Sequence, residues 1–360
     1  MMKNVDVCIV GAGPGGSLLA YLLAKKGVSV LLLERTNQIA KTFRGEHVNA
    51  EGEAILKKHG LFENIEALGL LRMEQLEYWQ NGELFKTIEP DSAIGHFGIH
   101  VPQAHLLQVI IEAAQKYPSF NYCLKTTVSE LLQDDTGRYY AVKANKDGEQ
   151  SIIECNMIIG ADGRYSTVRK KAGIETTIRK HGYDLLWARI PTPMNWAPAI
   201  KMALVDGKQI SLFTQAKGFI QIGWNIDEGS FPELRKQPFT PFVEQLTNAF
   251  PELTEMVKQH ITSWQDFVLL DVYSSQSASW GAEGLVLLGD AVHTMTPTGA
   301  FGLNSAMKDA DILANIINKE QIVQLDLMIC ATERKKEVEK IQAIQIEKEQ
   351  NFESQFVLMV

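Results

Sequence analysis

The chain has little cysteine and no arrangement that would pair it: Cys8, Cys123, Cys155 and Cys330 are the only four in 360 residues, and no two form a CxxC. Three of them sit inside apolar runs, where cysteine behaves as a small hydrophobe. Reduced, buried thiols in a cytoplasmic protein are therefore expected, with no disulfide framework and no metal site. Clustered positive charge is also missing. Lys and Arg total 35 against 43 Asp and Glu, a net charge of −8, and no basic patch interleaved with aromatics could neutralise a phosphate backbone, so nucleic acid is excluded as a partner. The densest charged run, Glu333 to Lys340 (ERKKEVEK), alternates sign at helical spacing and reads as a solvated face. No apolar run reaches the length of a membrane span, and the apolar N-terminus is broken by Asp6 and by the glycines from Gly11 to Gly16, unlike a signal peptide. Repeats, low-complexity tracts and Pro-rich linkers are lacking as well. What remains is 45% hydrophobic and 22% charged, the composition of a compact globular protein. Its length calls for two domains, or one large domain with an insertion.

Residues 5–10 (VDVCIV) are nearly all apolar, the glycines follow, Ser17 to Lys26 has helical spacing, and Gly27 precedes a second run, VSVLLLE at 28–34. This predicts strand, tight turn, helix, glycine stop and strand, with both strands in a parallel sheet covered on its two faces. Asn81-Gly82 between two strand-like runs (76–88) predicts a two-residue hairpin. A helix is expected over about Ala104 to Lys116, then strands at 119–134, 139–146 and 151–160. From Tyr183 to Ile226 the runs LLWARI, KMALV, QISLFT and GFIQIGWNI predict an antiparallel sheet. Helical spacing returns at 240–260, an apolar run ends at Asp290, a long helix spans about Leu303 to Lys319, and 321–357 reads as helical and amphipathic. The two kinds of pattern alternate along the chain, so a cofactor domain carrying a substrate sheet inserted in pieces is expected.

Gly11-Ala12-Gly13-Pro14-Gly15-Gly16 matches GxGxxG between a predicted strand and helix, and Glu34 closes the next strand about 20 residues on. Such glycines let the backbone approach a pyrophosphate at a helix N-terminus, and the carboxylate can accept hydrogen bonds from ribose hydroxyls. An adenine dinucleotide is expected, FAD or NAD, and a 2′-phosphate is disfavoured by Glu34. Two further segments follow: GADGRYSTVR at 160–169, and Gly289-Asp290-Ala291-Val292-His293 with Pro297-Thr298-Gly299-Ala300-Phe301-Gly302-Leu303-Asn304.

With these three motifs in this order, the chain resembles the flavoprotein monooxygenases of the p-hydroxybenzoate hydroxylase type over residues 5 to about 345. The resemblance implies an α/β fold: a Rossmann-like FAD-binding domain (1–72, 98–175 and 276–330), an interleaved antiparallel-sheet substrate domain (73–97 and 176–275) and a C-terminal helix (331–360). It implies FAD as cofactor and NADPH or NADH as a transient reductant, since only one complete GxGxxG is present. It also implies oxygen transfer to an aromatic or electron-rich small molecule through a flavin C4a-hydroperoxide, in a monomer or homodimer. Gly11, Gly13, Pro14, Gly15 and Gly16 would hold the diphosphate with Glu34 and Arg35 beside them. Arg44, Gln103, Val128, Asp162, Gly163, Gly289 and Asp290 would line the rest of the cofactor. Pro297, Thr298, Gly299, Gly302, Leu303 and Asn304 would pass the flavin ring. The helix that starts near Gly302 would aim its dipole at the reduced, anionic ring. His293 reads as a structural histidine held by backbone groups rather than a general base.

On the substrate side the likeness weakens. The family arginine that pairs with a benzoate carboxylate falls at Ala216 and the tyrosine that activates a phenol near Ala203, so a larger or less charged aromatic is expected. Candidate wall residues are Trp187, Arg189, Phe213, Thr214, Gln221 and Trp224, with the proviso that a strand puts only alternate residues on one face. A halogenase would carry W-x-W-x-I-P, and Trp187-Ala188-Arg189-Ile190-Pro191 lacks its second Trp. A flavin-dependent reductase or dehydrogenase of the same fold, or a non-catalytic FAD-binding relative, are the remaining alternatives.

Overall fold

A computed structural model describes residues 3–39, 46–320, 322 and 328–356. The opening strand Lys3–Val10 runs parallel to Val30–Leu33 on one side and to Glu149–Gly160 on the other. Phe120–Cys123 and Leu285–Leu287 extend the parallel layer outward. The first half of Glu149–Gly160 also pairs antiparallel with Tyr139–Lys146, which pairs with Thr126–Gln133, giving an eight-stranded mixed sheet. Val7 and Ile9 point into one hydrophobic cluster and Cys8 and Val10 into another. That two-sided burial is why the strand reads as a continuous apolar run. The first cluster is roofed by helices Pro14–Lys25, Gln103–Ala114 and Phe301–Ile316. Cys8, Cys123 and Cys155 form no disulfide, the first and last being buried and Cys123 partly so; the side chain of Cys330 lies outside the described residues.

The second sheet has seven strands in the order Val268–Leu270, Tyr183–Pro191, Phe219–Asp227, Lys208–Gln215, Ala199–Val205, Gln75–Gln80, Glu83–Ile88. Asn81 (φ 53°) and Gly82 (φ 79°) make the hairpin turn expected of them. The sheet is not wholly antiparallel: Gln75–Gln80 enters from the other layer and lies parallel to Ala199–Val205. One face is sealed by helices Phe239–Ala249 and Thr254–His260, whose apolar residues join Leu186, Ile210, Ile222 and Trp224 in a third core. The C-terminal helix Met328–Gln350 differs from the amphipathic expectation in what it buries, because Arg334, Gln342 and Gln345 share its inner stripe with Ala331 and Val338. Among the described residues no helix is long and apolar enough to cross a membrane.

Candidate functional site

The three motifs converge because three neighbouring parallel strands end side by side, the place where open α/β sheets put ligands. Ala161 N–H donates to Val10 O, and Leu288 N–H donates to Gly160 O, so each motif starts one strand over from the last. Gly11 (φ 106°) lies so close to its neighbour that a Cβ there would stand 2.4 Å from Ala161 O, and one on Gly16 would meet Gly11 O at 2.1 Å. A Cβ on Gly15 would press on Leu288 and Ala306. Gly13 is different: nothing stands within 4 Å of its missing Cβ. Three glycines thus close the packing, and the fourth borders open space at the start of helix Pro14–Lys25, with Pro14 in its first turn. Unpaired N–H groups and positive dipole character face that space, which fits a diphosphate.

Glu34 is 4% exposed. Its Oε2 accepts the Ala12 N–H at 3.0 Å, and Oε1 accepts the Thr36 N–H (3.0 Å) and hydroxyl (2.7 Å). The carboxylate is thereby fixed at the glycine turn, while Arg35 is exposed and Arg44 lies outside the described residues. Val128 is packed in the second core. Gln103 opens its helix, 6% exposed, with its N–H on Glu46 Oε1 at 3.1 Å.

Asp162 has a local task at the strand end. Its Oδ1 accepts the Ser166 hydroxyl (2.5 Å) and Oδ2 accepts the Thr167 and Val168 N–H groups (2.6 and 3.1 Å), so the side chain caps the short helix Thr167–Lys171. The cap fixes the Asp162-Gly163 turn, with Gly163 at φ 82°, beside the end of the first strand.

Under the third motif lies a buried cluster that sequence reasoning missed in part. Asp309, 3% exposed, accepts the Gly289 N–H (2.8 Å) and His293 Nε2 (2.8 Å) on Oδ2 and Arg334 Nε (2.7 Å) on Oδ1. His293 is a tie between the motif and helix Phe301–Ile316, as the structural reading required, although its partner is a carboxylate rather than backbone. Asp309 and Arg334 had no signal beyond helical position. Beyond the cluster, Gly299 (φ 73°) and Ala300 (φ 53°) turn the loop sharply. A left-handed alanine costs about 1–2 kcal/mol, and Asn304 holds it by donating to Ala300 O at 2.8 Å and His47 O at 3.2 Å. The nearest atom to a Cβ on Gly302 would be Asp290 Oδ1 at 3.9 Å, so Asp290 stands at the start of the same helix. Leu303 packs partly buried against the first core.

Glu46 and His100 were also missed, though Glu46 is the last residue of the FRGE run. His100 Nδ1 accepts the Ala216 N–H at 3.1 Å, so Nε2 carries the proton and donates to Glu46 Oε2 at 2.8 Å. Gln215 reaches the same oxygen at 3.4 Å and Gln221 Oε1 at 2.6 Å, which ties the short paired strands His47–Val48 and Ile99–His100 to the seven-stranded sheet. Beside them His47 has its imidazole held down at about 4 by burial and by nearby His100 and His96. Because the folded pKa lies below the ordinary 6.5, this contribution to stability is complete above 6.5 and is lost as pH falls toward 4. Between pH 7 and 5 the native protein should lose about 2 kcal/mol more than His47→Gln does, measured by denaturant unfolding. Equal losses in the two proteins would show that His47 does not carry this acid sensitivity.

Register sorts the substrate candidates. Arg189, Gln221 and Phe213 share one row with Ile200 and Leu76, and Trp187 shares the next with Gly223, Ser211, Met202 and Tyr78. These rows lie on the face away from the helices. Thr214 and Trp224 do not: Trp224 is 2% exposed and stacked on Phe242 at 3.9 Å, and Thr214 bonds Trp196 Nε1 and both backbone groups of Ala199. Both are core residues, moved off the candidate wall by strand alternation. Ala203 is likewise in that core, so the open-face residue near the missing phenol-activating position is Met202. Tyr183, at the edge of the open face, touches Thr298 Oγ1 at 3.2 Å, which brings that face against the Pro297 loop.

A family model described as "FAD binding domain" matches residues 4–321. The chain is 29% identical over 350 residues to the 6-methylpretetramide 4-monooxygenase of Streptomyces rimosus, covering 95% of this chain and 83% of that protein. It is 26% identical to the kynurenine 3-monooxygenase of Anopheles gambiae, covering 88% and 68%. The crystal structure of pqsL, a probable FAD-dependent monooxygenase from Pseudomonas aeruginosa, superposes with a TM-score of 0.81 at 20% identity, over 97% of this chain and 96% of that one. At that identity the last likeness speaks to the fold, which is the α/β architecture the motifs implied.

Proposed function

The chain belongs to the FAD binding domain family and is an FAD-dependent monooxygenase, and from that premise we propose that it oxygenates an uncharged, flat, oxygen-bearing aromatic held against the open face of the seven-stranded sheet. The observation that carries this reading is the composition of that face where Tyr183 meets the Pro297 loop. Trp187, Phe213 and Met202 supply apolar area and are only half-buried, while Ser211, Gln221, Asn225 and Gln209 supply neutral hydrogen-bonding groups. Arg189 and Lys86 are the charges in those rows, and each lies over a ring of the protein, the Arg189 guanidinium over Phe219 at 4.6 Å and the Lys86 ammonium over Tyr78 at 5.7 Å. Such a wall favours phenol and quinone oxygens over carboxylates.

In this reading the Gly13 turn and the first helix hold the FAD diphosphate, and Glu34 takes the ribose. Gly163 and Asp290 flank the chain between them, and Pro297 to Leu303 border the ring. Bound FAD supplies the redox chemistry: two electrons from NAD(P)H and one O2 place one oxygen atom on the substrate and release the other as water. The protein's part is orientation and dryness. The Streptomyces relative is named a 6-methylpretetramide monooxygenase, an amide by that name rather than a carboxylate.

The test is a screen of neutral polycyclic phenols, quinones, indoles and quinolones against simple benzoates. NAD(P)H consumption, peroxide and product mass are followed together. Stimulated consumption, little peroxide and a gain of one oxygen are expected for a neutral polycycle. NAD(P)H oxidation with a reduced, unoxygenated product would make the enzyme a reductase, and a preference for benzoates would remove the substrate proposal. Trp187→Ala should raise KM about tenfold and increase peroxide leakage, through loss of one aromatic contact. An unchanged KM would take Trp187 off the substrate wall.

A further inference from the structure

Helix stripes that dock on a core are usually apolar; the inner stripe of the C-terminal helix instead carries a ladder of hydrogen-bonding groups directed at one stretch of chain. Gln342 Nε2 donates to Thr294 O (2.9 Å) and Ser275 O (3.1 Å). One turn on, Gln345, fully buried, donates to Thr296 O (2.8 Å) and Thr298 O (2.7 Å). One turn further, Glu349 Oε1 accepts the hydroxyls of Thr296 (2.7 Å), Thr298 (2.7 Å) and Tyr183 (3.0 Å), and Oε2 meets His181 Nδ1 at 2.6 Å. A helical turn advances about 5 Å and two residues of extended chain about 6.6 Å, so successive turns meet alternate residues of the 294–298 segment. Burial alone would push the Glu349 carboxyl up, yet hydrogen bonds from His181, Thr296 and Thr298 hold it below the usual range.

We propose that the C-terminal helix is a clamp on the Pro297–Ala300 loop, and that Glu349 is the positioning residue that closes it by tying Thr296, Thr298 and Tyr183 to one carboxylate. The link to turnover rests on the reading that a flavin ring lies against this loop. Glu349 touches neither the ring nor the substrate in this account. It fixes the distance between the loop and the start of strand Tyr183–Pro191 of the substrate sheet, and therefore the width of the gap an aromatic must enter.

Hydrogen exchange by mass spectrometry on FAD-loaded protein tests this, together with the flavin absorption spectrum, in Glu349→Ala, Glu349→Gln and Thr298→Val. Glu349→Ala should speed exchange across 294–300 by about tenfold and shift the flavin bands. Glu349→Gln, which keeps an oxygen acceptor for the threonines and can donate its amide to His181 Nδ1 once the imidazole proton moves to Nε2 and Ser274 Oγ, should restore most of both. Wild-type exchange over 294–300 in both Glu349→Ala and Thr298→Val would overturn the clamp. If Glu349→Ala loosens the whole helix, Thr298→Val decides: faster exchange confined to the loop supports the proposal, and no change refutes it. If wild-type protein fails to retain FAD, the monooxygenase reading falls, while exchange on the FAD-free protein still decides the clamp.

Discussion

Asp309→Ala should cost about 3–5 kcal/mol of stability, the penalty for leaving a buried charge without its partner. Asp309 is held by three groups from two segments: the Gly289 N–H and His293 Nε2 of the third motif, and Arg334 Nε of the C-terminal helix. Arg334 is 4% exposed, and when the carboxylate is removed it keeps only the half-exposed Glu337, 3.0 Å from its Nη1. Burial would raise the Asp309 carboxyl, but His293 and Arg334 beside it hold it at about 2. The folded value lies below the ordinary 3.8, so about 2 kcal/mol of stability is present above pH 3.8 and lost as pH falls through 2. Asp309→Leu combined with Arg334→Leu should cost less than Asp309→Ala alone, because the buried cation that lost its inner partner is gone as well. Unfolding in denaturant at pH 7 decides this, and a double variant less stable than Asp309→Ala would mean that the network stabilises beyond mutual charge compensation. FAD retention should fall with Asp309→Ala too, because Gly289 loses the acceptor that holds the turn before Asp290.

The Gly11–Gly16 turn and the nearly unbroken apolar strand Lys3–Val10 were legible because their physics is local: a βαβ turn needs glycine at fixed offsets, and a strand buried on both faces shows no alternation. The hairpin at Asn81-Gly82 was legible for the same reason. The parallel entry of Gln75–Gln80 beside Ala199–Val205 was not, since nothing in either segment encodes a partner more than a hundred residues away. The substrate face shows the same division. Period-2 alternation says that Trp187 and Trp224 cannot be equivalent across the registered pair Leu186↔Trp224, but which parity faces the helices depends on Phe242 and Phe267 packing from elsewhere. Asp162, Asp309, Glu46 and Glu349 are the harder cases. A carboxylate's role is set by the donors that reach it, and for three of the four those donors come from distant segments. For Asp162 they lie within six residues, and the capping role could be read as an alternative from Asp-Gly chemistry alone.

Gly13→Ala and Gly16→Ala add the same methyl group three residues apart and should give opposite phenotypes. At Gly16 the Cβ would stand 2.1 Å from Gly11 O and 3.0 Å from the Ala161 methyl; one is backbone and the other is a methyl fixed directly to it, so neither can swing aside and the strand ends must separate. A loss of 3 kcal/mol or more is expected, roughly the upper range for overpacking, and FAD would be lost with the fold. At Gly13 nothing lies within 4 Å and the backbone (φ −72°, ψ 179°) suits alanine, so the apo fold should lose no more than about 1 kcal/mol, the difference between glycine and alanine as an N-cap. The methyl would enter only the space where a diphosphate must approach the helix N-terminus. Retention of FAD should therefore weaken by about ten- to a hundredfold, from about 1–3 kcal/mol of steric conflict. Calorimetric unfolding of the FAD-free proteins and flavin titration separate the two effects. If Gly13→Ala binds FAD as tightly as wild type, the diphosphate does not cross this turn, and the groove formed by the three strand ends must hold the cofactor in some other direction.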